Sequence, residues 1–202
     1  MARAFTEEER QRIDAEIRRS ARERFAAEGA RSALVEAIVA PVGIAKGSFY
    51  SFYPSKEELF LQILAEVEEE SRRLLLARVA EWEFPYPEEK VFFFLREQYR
   101  LVDEIPFLSR NLNPETLRHI AVRVGPERFA EHQALDDRFY GDVARRWINE
   151  GTLDAQDLER IVALWKAPFW LRLHATEIGA AYEQTLEDLL HAVANYQTGG
   201  VV

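Results

Sequence analysis

Apolar residues recur along this chain at three- and four-residue spacing, and helix starts and stops punctuate the polar residues between them. Ile13, Ile17, Ala21 and Phe25 mark one face of a first helix. Thr6 stands at its N-cap with Glu9 three residues on, a capping box, and Gly29 stops it. Leu34 to Val39 forms a short second helical run. Val42-Gly43-Ile44 reads as a turn and Ala45 to Tyr53 as a third short helix. Ser55 then caps a fourth, with Glu58 closing a second box, and the stripe Leu59, Phe60, Ile63, Leu64 and Val67 carries that helix to about Trp82.

After the break at Pro85-Tyr86-Pro87 the pattern predicts helices over 88–102, 114–124 and 127–149. Asn113 caps the second of these ahead of Pro114, Gly125-Pro126 ends it, and Gly151 ends the third. Asp154 is the expected cap of a helix reaching His174, with a kink at Pro168, and a last helix spans 180–196 before a tail from Thr198 to Val202. No stretch of useful length alternates as a strand does, and no repeat is present. The expected fold class is therefore all-α, with about nine helices. A three-helix helix-turn-helix domain occupies 1–55 and a larger helical domain 56–202, joined by the helix over 56–82.

Composition changes little in this picture. At 202 residues, 48% apolar and 30% charged, the chain has the makeup of a folded globular protein. The absence of cysteine removes disulfides, thiolate metal sites and cysteine nucleophiles. No apolar run reaches the ~20 residues of a membrane span, and residues 1–10 hold no apolar stretch of a signal peptide. A cytoplasmic protein with no membrane partner is the expectation. The net charge of −9 argues against nucleic acid until it is located. Residues 1–60 hold ten Lys/Arg and ten Asp/Glu, so the whole deficit lies beyond Phe60.

The neutral head also carries the chemistry. A tight turn at Gly43 between two short helices is the pattern of a helix-turn-helix, whose second helix enters the DNA major groove. That helix begins Ala45-Lys46-Gly47-Ser48-Phe49-Tyr50-Ser51. Lys46 can donate to guanine or phosphate, Ser48 and Ser51 can donate or accept, Gly47 permits close backbone approach, and Tyr50 offers a hydroxyl. Phe49 is expected in the core and Tyr53 against the first helix. Lys56 opposes the helix dipole at its position, an unfavourable local choice that phosphate contact would explain.

From Gly29 to Phe60 these residues resemble, without gaps, the signature of the TetR family of one-component transcriptional repressors. Matches fall at Gly29, Ile38, Gly43, Lys46, Gly47, Phe49, Tyr50, Ser55, Lys56 and Leu59. The chain departs where the family often places threonines before helix two (Ala33 and Leu34), a capping serine (Ala45) and a polar His or Tyr (Phe52). It also places Pro41 at the end of the second helix. The resemblance implies a homodimer on a pseudo-palindromic operator, released by a small effector, with Ser32, Lys46, Gly47, Ser48, Tyr50, Ser51 and Lys56 at the DNA.

It also implies an effector domain in the larger part. Val91-Phe92-Phe93-Phe94-Leu95 is apolar all round, which predicts burial on most sides. Phe92, Phe94, Tyr99, Phe107, Phe129, Trp147 and Trp165 can line an apolar or aromatic site, with Arg96 and His119 orienting a ligand head. Asn111 and His132 are further polar candidates. Ile161, Leu164, Pro168 and Phe169, with Leu186, Leu189, Leu190 and Val193, give the last two helices more apolar surface than a peripheral pair needs, the expected dimer interface. No cofactor is implied. The enzyme alternative rests on His174-x-x-Glu177 and Asp188-x-x-His191, which lack the paired Glu-x-x-His units of a di-iron bundle. The remaining alternative is a helical ligand-binding or interaction module with weakened DNA binding.

Overall fold

The computed structural model describes residues 6–154 and 157–199. Among them are eleven α-helices, one short 3-10 turn and no strand. Phe5 and residues 200–202 of the expected tail lie outside the described residues.

The chain divides into two compact units. The first comprises 1–69 and 104–129 and holds α1 (Glu7–Glu28), α2 (Val35–Val39), α3 (Lys46–Phe49), the start of α4 (Lys56–Ala80), α6 (Pro106–Asn111) and α7 (Pro114–Val124). Thr6 and Glu9 make the reciprocal box that starts α1, and Gly29 ends it. The Ser55 hydroxyl accepts from the Glu58 N–H at 3.1 Å, while the Glu58 carboxylate faces Arg128 instead of closing a box. Inside, Phe25, Phe60 and Phe107 pack ring on ring with centroids 5.3–6.3 Å apart.

Asn111 is fully buried and clamps α6 to the end of α1. Its Oδ1 accepts from Ala30 N–H at 2.7 Å, and its Nδ2 donates to the carbonyls of Phe25 and Phe107 at 2.9 and 2.8 Å. A buried amide so fully partnered contributes to stability instead of costing its desolvation. Asn113 caps α7, accepting from Thr116 N–H at 2.9 Å.

The second unit comprises 70–103 and 130–202 and holds the rest of α4, most of α5 (Pro87–Glu104) and of α8 (Pro126–Asn149), with α9 (Leu158–Leu173), α10 (Ala175–Ile178) and α11 (Tyr182–Gln197). Phe94, Trp147 and Trp165 form its aromatic centre, with centroids 5.1–5.7 Å apart. Only Val91, Phe94 and Leu95 of the apolar run in α5 are buried. Phe92 and Phe93 are half-buried, because the helix covers one broad face and not all sides.

Three local expectations are corrected. Asp157, not Asp154, caps α9, its carboxylate accepting from Glu159 N–H at 3.0 Å. α3 spans only Lys46–Phe49, so Tyr50 to Tyr53, expected within that helix, lie beyond it. Pro41 falls after α2, in the turn, so it removes no N–H from that helix. Short α6 and α10 are additional to the helices read from periodicity.

Candidate nucleic-acid interface

The reading head is built around two buried aromatics. Phe49 and Tyr53 are essentially inaccessible, their rings 5.6 Å apart, and anchor α3 from beneath. The Tyr53 hydroxyl donates to the Asp14 carboxylate on α1. Burial, with that bond, pushes the Tyr53 hydroxyl well above the ordinary tyrosine range. Arg18 ties the same carboxylate to α4 through Gln62 and Glu66, at 2.6 and 2.5 Å. Phe52 lies under the Arg10 guanidinium, 4.7 Å from its ring centre, and Arg10 donates to the Ser51 carbonyl at 3.1 Å. A polar tip at position 52 is thus exchanged for a cation–π contact.

Between α2 and α3 the chain turns at Gly43, φ +74°, a left-handed conformation that favours glycine. Ser20 secures α2 to α1 by donating to the Ile38 carbonyl at 2.8 Å. With the inner face of α3 fixed, Lys46, Gly47, Tyr50 and Ser51 are exposed and Ser48 is half-buried. A Cβ added at Gly47 would meet nothing within 4 Å, so that position is open. Tyr50 leaves half its surface free. The Ser51 hydroxyl donates to the Ser48 carbonyl at 2.7 Å and keeps its lone pairs outward. Ser32 is exposed in the α1–α2 turn.

Two cations have partners that the sequence did not reveal. Lys46 pairs with Glu36 of α2 at 2.8 Å, which raises the lysine and lowers the carboxylate from their ordinary values. Lys56 is half-buried and donates to the carbonyls of Ala33 and Arg31 at 2.8 and 3.2 Å. It fastens the α1–α2 turn to α4, and one of its three N–H donors remains for a further acceptor. Burial is the main cause that lowers its basicity.

The residues expected at an effector fall into separate groups. Phe107, His119 and Phe129 belong to the first unit. There Phe107 is core, and His119 Nε2 lies 3.1 Å from Glu57 Oε1. In the second unit Phe94, Trp147 and Trp165 pack on one another, and Tyr99 is buried, its hydroxyl pushed up by desolvation. Phe92 stacks on His191 with centroids 3.7 Å apart and lies under Arg96. Three buried donors of this unit, Arg96 Nε, Gln98 Nε2 and Gln197 Nε2, have no hydrogen-bond partner among the described residues. Gln197 was not legible as special. Its Oε1 takes the Trp165 indole N–H at 2.6 Å. His132 is buried.

Of the expected dimer residues, Ile161, Pro168, Leu186, Leu190 and Val193 are already buried within the single chain, whereas Leu164, Phe169 and Leu189 are half-buried. His174 and Glu177 face each other at 2.7 Å on the surface.

Residues 17–63 match the family model of the bacterial regulatory proteins, tetR family, and those residues are the helix-turn-helix with its anchor. Over those residues the chain is similar to the N-terminal domain of that family. TetR-family proteins are DNA-binding regulators, not enzymes. Solved structures extend the likeness of fold over nearly the whole chain. A TetR-family transcriptional regulator from Pectobacterium atrosepticum is 17% identical, covers 98% of both chains and has a TM-score of 0.68. RolR in complex with resorcinol is 18% identical, covers 96% of this chain and 93% of its own, and has a TM-score of 0.65. A TetR transcription regulator from Haloarcula marismortui is 17% identical over 93% and 98%, with a TM-score of 0.63. No curated protein matches the chain. No helix among the described residues is long and apolar enough to cross a membrane.

Proposed function

We propose that this protein is a cytoplasmic repressor of the TetR family that binds a pseudo-palindromic operator as a homodimer and is released by a small, largely apolar or aromatic effector. The observation that carries the reading is the outward set Lys46, Gly47 and Ser48 of α3 with Tyr50 and Ser51 of the turn that follows it, held by the buried Phe49 and Tyr53. The inner face of this segment is fully committed to packing, so its outer face is free to meet base edges and phosphates. Ser32 and the remaining donor of Lys56 flank that set as phosphate contacts. In this reading residues 1–55 form the DNA-reading part and 56–202 the sensing and dimerising part.

The effector reading rests on the second unit. Its aromatic centre is rich enough for an apolar ligand, and its orphaned donors suit a ligand carrying acceptor oxygens. An effector acts by favouring a dimer state whose two reading heads no longer fit adjacent major grooves, and it can shift that balance only by its differential affinity for the two states. RolR, of like fold, was solved with resorcinol, which makes dihydroxybenzenes a first probe.

A mobility-shift assay with the DNA flanking its own gene tests the reading. Lys46→Ala and Tyr50→Ala are expected to weaken the complex, and binding falls steeply with salt. No shift at low salt would favour the interaction module instead. An effector that leaves operator affinity unchanged in titration is not the inducer.

A further inference from the structure

Helix α7 lies outside the matched segment yet belongs to the same compact unit as the reading head. Glu115, His119 and Arg123 recur along it every four residues, so they share one face. Glu115, in its first turn, pairs with Arg31 in the turn between α1 and α2. His119, one turn on, has its Nε2 3.1 Å from Glu57 Oε1 in the first turn of α4. These two contacts lay the stripe across the base of the helix-turn-helix, beside Lys56. Arg123, the third member, is exposed and makes no hydrogen bond or ion pair among the described residues. Lys56 stands at the same flank: burial is the main cause that disfavours its cationic form, the neighbouring Glu57 favours it, and Arg123 disfavours it by a lesser amount.

Two neighbouring cations, one with a donor left and one with none used, are an arrangement that an anion between them would stabilise. The surrounding charge agrees. Residues 105–124 hold three arginines against one glutamate, in a chain whose net charge is −9. Acidic side chains on this stripe and at its foot are themselves engaged, Glu115 by Arg31 and Glu57 by His119.

We infer that Arg123 of α7, together with Lys56, grips a backbone phosphate of the duplex at the flank of the reading head. This rests on the DNA-binding reading above and adds to it a contact from outside the helix-turn-helix. A phosphate contact carries no sequence information, so it should strengthen binding to any duplex and set the head's register.

The test compares a labelled duplex from upstream of the protein's own gene with a scrambled duplex of equal length, by fluorescence anisotropy over a range of salt. Arg123→Gln is expected to weaken both by the same factor, roughly three- to tenfold. It should also flatten the dependence of log affinity on log salt by about 0.9, the share of one phosphate. Arg123→Lys keeps the slope, and Arg123→Glu weakens both duplexes further. Tyr50→Ala, by contrast, weakens the native duplex more than the scrambled one. Arg123 is exposed and unpaired, so the thermal melt of Arg123→Gln should match that of the parent. Affinity and slope unchanged in Arg123→Gln, while the parent binds, overturns this inference alone. A parent that binds neither duplex overturns the DNA-binding reading itself.

Discussion

At the scale of single residues, the side chains that matter most are those whose partners lie far away in the chain. Asn111 takes one donor and serves two acceptors from α1 and α6. Asn111→Leu should leave the Ala30 N–H buried without a partner and destabilise the first unit by about 2–3 kcal/mol, read from the shift of a urea midpoint. The exposed capping substitution Asn113→Ala should cost about 1 kcal/mol in the same measurement. Glu36 restrains Lys46 across the reading face. Glu36→Gln removes both the tether and a negative charge near the DNA, so duplex binding should tighten severalfold in a salt-matched titration. Phe49 was legible as the core anchor of α3 and Tyr53 as packed against α1, since large aromatics in so short a segment need a neighbouring element to cover them. Asn111, Glu36 and Arg10 were not, since hydrophobic pattern says nothing about which distant carbonyl, lysine or ring a polar group will meet.

Among the elements, those with a sequence-local signature were readable and those made by tertiary contact were not. Thr6 with Glu9, Asn113 with Pro114, and Gly29 set helix ends through neighbours three or four residues away. Six-residue α6 is too short for periodicity, and Pro106, which reads as a break, is instead its first residue. Asp157 supplanted Asp154 because both are capping residues within one turn of the same start. The two glycines of the reading head separate turn chemistry from ligand chemistry. Gly43→Ala must hold a side chain at φ +74° and should destabilise by about 1–2 kcal/mol. Gly47→Ala meets no atom and removes a flexible residue from a helix, so it should stabilise by up to about 1 kcal/mol. If Gly47 serves close approach of backbone to DNA, the same variant binds operator more weakly. Denaturation and anisotropy on one sample decide this, and wild-type affinity in the stabilised variant would remove Gly47 from the interface.

Across the whole molecule, burial separates residues that composition alone pools together. Three of the seven tyrosines, Tyr53, Tyr99 and Tyr182, are raised above the ordinary value, chiefly by burial. A raised folded value means their contribution to stability is complete below about pH 10 and is lost as pH climbs through the folded values. Tyr53→Phe should therefore make the alkaline fall in stability shallower, in melts followed from pH 9 upward. The same distinction bears on assembly. Ile161, Leu190 and Val193 are covered by their own chain and have little left to bury, so an interface on the last two helices must use Leu164, Phe169 and Leu189, which are half-buried, and Trp170, which is 55% exposed. A charge at Phe169 or Leu189 would then be desolvated against apolar surface in a dimer, while in a monomer it could remain in water. Phe169→Glu and Leu189→Lys should each shift sedimentation from dimer to monomer with little change in melting of the single chain. Operator affinity should fall with them, because two heads joined on one operator bind far more tightly than either alone. Variants that sediment as dimers would move the interface off α9 and α11. Monomers with undiminished operator affinity would instead show that one reading head suffices.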